Sequence, residues 1–510
     1  MFASVSLTAF TAWGTTAPMR TLFPLTYTVL LASALVSCTS PSRQGLPPNS
    51  SPQDTGGIAG NLLPQGIAVG DINATSALLW VRTHGPAMVQ VEWATPSAWK
   101  TISKMATAVS PVAKTPRLMT DAESDFTLSI PLQGLNPGTR YRYHVLVGRV
   151  GAGTDSSPLA LAARGELSTA PAAGDFVPLT FGWSGDLGGQ GHCRQGLGGY
   201  PIFDVMRRQQ PDFFLFLGDS IYSDDVCPSP PNEPGADFTV ASLSDYRARH
   251  RYQRGAVAMR RFLETVPVYM VWDDHEVWNN FAGSVDIRMP DGRRALLEYW
   301  PITRSSDDAN RLHRSIRYGA NLEMFILDTR SYRSRNADPD GPEKTMLGAS
   351  QLQWLLDGLK DSTATWKIIV TSVPLSIPKN GGWAVPGNDG WAGGPNGTGF
   401  ERERQVIVDT IMGRRMKNIV FIAGDVHFTQ ANSYDPDSDG IPDFHEFVAG
   451  PLSAAPGRMV KPSLTLNPTT LAQESGYYNF GLVRVTATSF EVSFVDNDGM
   501  VRFSHRLTAR

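Results

Sequence analysis

Four short segments of this chain place acidic and histidine side chains directly after an apolar run. They are Ser184-Gly185-Asp186, Gly218-Asp219-Ser220-Ile221-Tyr222, Trp272-Asp273-Asp274-His275-Glu276 and Gly424-Asp425-Val426-His427. Carboxylates, imidazoles and a phenol are ligands for a metal cation, and carboxylates gathered without one repel each other. Any single aspartate here could do no more than cap a following helix. The same pattern at four separate strand ends points instead to a shared metal centre. Glycine beside the aspartate in the first, second and fourth segments permits a sharp turn and the close approach of a ligand.

To converge, these segments need a scaffold that collects strand ends. From Phe176 onward apolar strands alternate with helical stretches, the pattern of an α/β fold. Strands are predicted over 179–183, 212–217, 268–272, 322–327, 366–372 and 419–423, and the second is apolar without alternation, as in a strand buried on both faces. Helices are predicted over 200–209, 243–265, 351–359 and 401–412, with the basic residues between Arg247 and Arg261 forming the polar face of the long one. In an open α/β sheet the carboxyl ends of the strands line one crevice, which would bring the four segments together. Asn497-Asp498-Gly499 reads as a hairpin turn between strands 490–495 and 501–507.

The chain before Phe176 differs. Segments 76–82, 89–93, 125–132 and 141–147 read as strands, and Tyr141 follows the turn Leu135-Asn136-Pro137-Gly138-Thr139 as in the tyrosine corner of Ig-like sandwiches. No catalytic constellation falls in this part.

Gly-Asp-Ser-Ile-Tyr, Trp-Asp-Asp-His-Glu-Val-x-Asn-Asn and Gly-Asp-Val-His, in that order, resemble the PhoD-type alkaline phosphatases and phosphodiesterases of the calcineurin-like metallophosphoesterase superfamily. The resemblance implies a four-layer α/β/β/α sandwich over 171–510, preceded by a small fibronectin-like all-β domain over 61–170. It implies hydrolysis of phosphate monoesters or diesters by a metal-held hydroxide, with Fe3+ and Ca2+ as the cations. Asp219 would bridge the two metals, Tyr222 and His427 would complete the iron site, and Asp274 and Asp425 would hold the second metal. Carboxylate and phenolate oxygens suit those two cations on coordination grounds. The best-known members of this group place a cysteine just after the first strand. Here Gly185-Asp186 stands instead, and Asp186 is assigned as a ligand in agreement with the wider superfamily. His275 is assigned to catalysis, stabilising a phosphoryl oxygen or protonating the leaving alkoxide. Asn279 and Asn280 are candidates for contact with phosphate or metal, against a simple role in the turn.

Other residues carry separate expectations. Asp435, Asp437, Asp439, Asp443 and Glu446 match positions 1, 3, 5, 9 and 12 of a calcium-binding loop with Gly440 at position 6, although strands rather than helices flank it. His192, His250, His313 and His445 fall outside the motifs and are read as surface or packing residues. The Trp- and Gly-rich stretch 381–399, with Trp383 and Trp391, reads as a pocket rim.

The segment 1–38 reads as a lipoprotein-type signal, with Met19 the better start and Cys38 the lipidated residue of Leu35-Val36-Ser37-Cys38, the alternative being an ordinary secretory signal peptide cleaved nearby. A Ser- and Pro-rich linker, 39–60, follows. The expected location is therefore exported: periplasmic, or at the outer membrane or cell surface. The remaining cysteines, Cys193 and Cys227, form a disulfide candidate in such a compartment, the alternative being Cys193 as a thiolate ligand of the metal. A net charge of −3 offers no electrostatic reason for nucleic-acid binding. The expected partners are a small phosphate ester and, through the lipid alone, a membrane, with no obligate protein partner. The competing readings are a phospholipase D-like phosphodiesterase and a surface binding protein whose catalytic domain has decayed.

Overall fold

A computed structural model of the chain describes residues 62–102, 112–149, 158–196, 198–379, 387–394 and 397–510. The signal and lipidation expectations, Met19 and Cys38 among them, fall outside these residues, as does Trp383. Among the described residues no helix is long and apolar enough to cross a membrane.

Two sheets form the body. The first runs, in spatial order, β21 (Val501–Thr508), β20 (Ser489–Asp496), β19 (Asn479–Val485), β9 (Leu179–Ser184), β10 (Phe213–Leu217), β11 (Val268–Val271), β1 (Ile67–Gly70), β2 (Ser76–Arg82) and β6 (Thr127–Gln133). The second runs β12 (Arg314–Tyr318), β13 (Leu322–Ile326), β14 (Trp366–Val370), β15 (Ile419–Ala423), β17 (Phe444–Val448), β16 (Thr429–Tyr434) and β18 (Pro468–Glu474). The two-residue period of a strand decides which way each side chain of the second sheet faces. Met324, Ile326, Ile368, Val370, Val420 and Ile422 pack with Trp183, Phe214 and Val483 of the first sheet, and the Trp183 indole donates across the gap to the Ala423 carbonyl at 3.3 Å. Phe325, Ile369, Ile419 and Phe421 point the other way, onto Leu355, Leu359, Ile407 and Ile411.

Seven helices are described: α1 (Pro96–Ile102), α2 (Ile202–Arg208), α3 (Leu243–Arg254), α4 (Val257–Leu263), α5 (Met289–Tyr299), α6 (Gly348–Asp361) and α7 (Glu401–Gly413). Leu355 and Leu359 belong to α6, and Ile407 and Ile411 to α7, so these two cover the outer face of the second sheet. Ile202 and Phe203 of α2, with Met259 and Phe262 of α4, pack against the first. The layering is the expected helix–sheet–sheet–helix sandwich.

Two details differ from expectation. The helix predicted over 243–265 is two helices, α3 and α4, because the chain breaks at Gly255, where an added Cβ would lie 2.0 Å from a guanidinium nitrogen of Arg194. Its basic residues also do not form a solvated face. Arg254 is 1% exposed and lies over the rings of Trp80 and Trp300 at 3.9 and 4.9 Å, while Arg249 is 3% exposed. Arginine stacks favourably on aromatic faces, and Arg254 donates one terminal nitrogen to the Tyr299 carbonyl, while burial lowers its guanidinium to about 9.

The N-terminal β-region is a sandwich of β1, β2 and β6 against β4 (Ala113–Lys114), β5 (Leu118–Met119), β3 (Ala87–Ala94), β7 (Arg140–Arg149) and β8 (Ala160–Ser168). The predicted corner is present: the Asn136 amide donates to the Tyr141 hydroxyl at 2.8 Å. One layer of this sandwich is continuous with the first sheet, since β1 pairs in parallel with β11 at Gly70 and Val268. Asp125 ties the regions together, accepting from Arg82 at 3.2 Å within the sandwich and from Arg251 of α3 at 2.5 Å.

Candidate metal centre

All four acidic segments converge. Strands β9, β10 and β11 are parallel neighbours in the first sheet and deliver Asp186, Asp219 and Asp273-Asp274 from their carboxyl ends. Asp425 and His427 come from the end of β15 in the opposite sheet, so the four segments meet where strand ends of the two sheets face each other. The sharp turns fall on the ligand residues themselves: Asp186, Asp219, Asp425 and His427 have φ of 61°, 52°, 73° and 58°. Left-handed backbone at non-glycine residues persists only where surrounding contacts hold it, and it concentrates at functional sites.

Ligand atoms fall into three overlapping groups, the first two sharing Asp219 and the last two sharing Asp274. Asp186, Asp219 and His427 offer atoms within 4.8 Å of one another; so do Asp219, Asp274 and His275, and also Asp273, Asp274 and Asp425. The Tyr222 hydroxyl lies 2.9 Å from His427 Nε2, and Asp186 Oδ1 lies 3.4 Å from the same nitrogen. His427 Nδ1 is 2.7 Å from the Ala455 carbonyl, an acceptor that calls for a proton on Nδ1 and leaves the Nε2 lone pair free for a cation. Asp186 Oδ2, Asp273 Oδ2, Asp274 Oδ1 and Asp425 Oδ2 are buried and have no hydrogen-bond donor. Such acceptors are costly unless something positive meets them. Burial, followed by the fields of Asp274, Asp273 and Asp186, pushes the Asp219 carboxyl well above its usual range. Burial, then Asp219 and Asp186, push the Tyr222 phenol up in the same way. Burial leads in both cases, and the negative charge that adds to it is what bound cations would neutralise. The donor set fits two hard metal ions sharing Asp219.

Surrounding residues hold this set in place. Glu276 is buried and accepts amide protons from Asp219 at 2.9 Å, Ser220 at 2.6 Å and Asp273 at 2.9 Å, which fastens the β10 and β11 ends together. Arg249 donates to the Tyr222 carbonyl at 3.2 Å and to the Ala236 carbonyl at 2.7 Å. Gly189 lies flat on the Tyr222 ring, where an added Cβ would come within 2.3 Å of ring carbon. His275 packs on the other face of that ring at 4.1 Å, and its Nδ1 meets Asp224 Oδ1 at 2.6 Å. Burial opposes charge on His275, but Asp274 and Asp224 outweigh it and raise the imidazole to about 9.

A second layer was not visible in the motifs. Arg330, wholly buried, donates Nε to Asp273 at 2.6 Å and both terminal nitrogens to Asp389 at 2.7 Å, and one terminal nitrogen lies 3.5 Å from Asp274. Arg333 and Asn336 also donate to Asp389, at 2.9 and 2.8 Å. Lys379 is paired with Asp425. Arg330 does carry a sequence signal, since it closes Leu327-Asp328-Thr329-Arg330 at a fifth strand end, and Asp273 and Glu276 lie inside a recognised motif. Asp389 lies in the Trp- and Gly-rich stretch, where nothing local marks it.

Of the two asparagines, Asn280 belongs to the site. Its amide donates to Asp274 Oδ2 at 2.5 Å, and its side-chain nitrogen reaches Asp274 and Asp389 at 3.3 and 3.2 Å when the amide is turned to donate. Asn279 is half-buried and makes no hydrogen bond to the site carboxylates among the described residues. Trp391 does not form a rim; it is buried in the core, its indole donating to Thr371 Oγ1 at 3.2 Å. His250 and His313 are packing residues: the first stacks on Tyr299 and burial lowers its imidazole to about 3, and the second lies against Trp354. His192 Nδ1 meets the Tyr478 hydroxyl at 2.7 Å, and His445 stacks beside Phe447.

The acidic loop joins β16 to β17 and keeps only part of the expected set. Asp435, Asp437 and Asp443 approach one another, but Asp439 accepts the Ile441 amide at 2.8 Å. Glu446, expected as a loop ligand, instead belongs to β17, is fully buried, and accepts from the Leu375 amide at 2.6 Å and the Tyr434 hydroxyl at 2.5 Å. Strand alternation turns it inward, away from the loop.

Cys193 and Cys227 are joined as a disulfide, with Cα atoms 6.0 Å apart, between the loops that follow β9 and β10. Those loops carry Asp186 and Tyr222. Replacing both cysteines with serine is expected to lower stability by about 2–4 kcal/mol, seen as a shift of the denaturant midpoint. An unchanged midpoint contradicts a structural role for the bridge.

Facing sheets flanked by helices, with carboxylates collected at their carboxyl ends, define the metallophosphoesterase architecture. Residues 181–494 match the PhoD-like phosphatase family and residues 51–171 match the PhoD-like phosphatase N-terminal domain, so the chain belongs to the PhoD-like phosphatase family. It is 27% identical over 414 residues to alkaline phosphatase D of Bacillus subtilis (strain 168), an alignment covering 73% of this chain and 65% of that protein, so it spans just under two thirds of that relative's length. Among solved structures, PhoD superposes with a TM-score of 0.69 at 23% identity, over 88% of this chain and 91% of that one. Purple acid phosphatase PPD1 from yellow lupin superposes with a TM-score of 0.61 at 13% identity, over 88% and 75%. These likenesses establish the shared fold.

Proposed function

We propose that the protein is an exported phosphoesterase that hydrolyses phosphate monoesters or diesters at a two-metal centre. The observation that carries this reading is the position of Asp219, which belongs to two of the three overlapping ligand groups while the carboxylates around it hold buried oxygens without donors. Asp186, Asp219, Tyr222 and His427 would hold the first cation and Asp219, Asp274 and Asp425 the second, with Fe3+ and Ca2+ the assignment that the donor types support. Bound there, the two ions supply an activated water and stabilise charge that builds up on the phosphoryl oxygens.

His275 is the residue proposed to move a proton. Asp224 on Nδ1 fixes the ring, and Nε2 faces the carboxylate side of the cleft, 3.9 Å from Asp274 Oδ2. From there it would protonate the leaving alkoxide. Asn280, which holds Asp274, is proposed to keep that carboxylate aligned. The Cys193–Cys227 disulfide supports export, because such bridges persist in oxidising compartments. A lipid anchor at Cys38 is proposed on the sequence pattern.

The reading is tested by assaying purified protein on p-nitrophenyl phosphate and bis(p-nitrophenyl) phosphate, before and after removal of metal by a strong chelator. Metal-dependent hydrolysis of at least one is expected, and the ratio of the two rates assigns monoester or diester preference. Inactivity on both, in protein with bound metal, contradicts it.

A further inference from the structure

Among the described residues Arg330 and Lys379 reach the carboxylates of Asp273, Asp274 and Asp425, Arg333 reaches Asp389 beside them, and the three differ in one respect. Arg330 and Arg333 are fully buried and locked by several fixed hydrogen bonds each. Lys379 has 29% of its side chain in solvent, and its ammonium pairs with Asp425 and lies 3.8 Å from Asp389 Oδ2. Its backbone, by contrast, is held. The Asp389 amide donates to the Lys379 carbonyl at 2.8 Å, Ile377 is buried beside Ala423 and Val448, and the Leu375 amide is bonded to Glu446 at 2.6 Å. A fixed backbone carrying a flexible, partly exposed lysine gives a cation that can change partners without refolding.

The partner it holds is one that the second metal needs. Lys379 holds Asp425 Oδ1 and leaves Oδ2 without a donor, and a multivalent cation on that second oxygen would lie close enough to repel the ammonium on the first. A phosphate dianion entering among these carboxylates, in turn, needs a positive donor that solvent reaches, and the two arginines are buried on Asp273 and Asp389, with Arg333 Nη2 buried and unpartnered. We propose that Lys379 is a phosphate-binding residue whose ammonium leaves Asp425 when metal takes that carboxylate and then pairs with the phosphoryl oxygens of the substrate. This rests on the phosphoesterase reading above.

The test compares the wild type with Lys379→Met and Lys379→Gln by calorimetric titration in two steps. Metal-stripped protein is titrated with Ca2+, and metal-loaded protein with inorganic phosphate. Without the competing ammonium, Ca2+ should bind the variants about tenfold or more tighter than the wild type, and phosphate should bind the loaded variants about tenfold or more weaker. Unchanged or weaker Ca2+ binding, or unchanged phosphate binding, overturns the proposal while wild-type binding leaves the phosphoesterase reading standing. Failure of the wild type to bind either ion removes that reading and the proposal with it.

Discussion

Asp219→Asn is expected to abolish hydrolysis and to empty both metal positions together. The side chain belongs to the Asp186–His427 group and to the Asp274–His275 group at once. Its amide is anchored to Glu276 at 2.9 Å and its Oδ1 accepts the His275 amide at 3.2 Å, so the asparagine keeps the shape but loses the charge that two ions share. The fall in kcat should exceed the about 10²–10³-fold that loss of one stabilising donor costs an active site, because the loss removes both cations. Metal content measured on the same preparation should fall in parallel. A variant that keeps one metal at full occupancy, or retains activity, contradicts the bridging role.

His275→Ala is expected to separate the two effects. The proposed proton transfer is worth about 10²–10⁴ in rate, so turnover should fall by that amount while metal content stays near that of the wild type. The loss should shrink on substrates with good leaving groups, where protonation of the alkoxide matters less. The geometry makes this a sharp test, because His275 also has a ring nitrogen within reach of Asp219 and Asp274 as a possible third ligand. Its Nδ1, however, is committed to Asp224 at 2.6 Å. If metal content falls in step with activity, His275 is a ligand and the proton-transfer role is wrong. Asp224→Asn should reproduce part of the rate loss, since an amide no longer fixes the imidazole as a carboxylate does.

What the sequence shows of this site is what local chemistry can show. An apolar run followed by Asp is a pattern of neighbouring residues, and each of the four such ends enters the cleft. Strand 419–423 has the predicted bounds, because an uninterrupted Ile-Val-Phe-Ile-Ala run leaves no choice. The two alternating faces of that sheet follow from the strand period. The supporting layer is different. Arg330 meets Asp273 and Asp389 across 57 and 59 residues of chain, and nothing near any of the three announces the others. Arginines 249 and 254 look like a solvated helix face until the aromatic rings and carbonyls that receive them are in place. Glu446 satisfies a loop consensus by spacing, yet the strand that contains it turns it into the core. Position within a motif was therefore readable, and partnership across the fold was not.

The central claim is that two cations share Asp219 in the active protein. Elemental analysis of protein purified from its native host, paired with phosphate-ester hydrolysis on the same sample, tests it most directly. The account predicts about two metal ions per chain, loss of activity as a chelator removes them, and recovery when they are restored. Full activity in protein that carries no metal contradicts it.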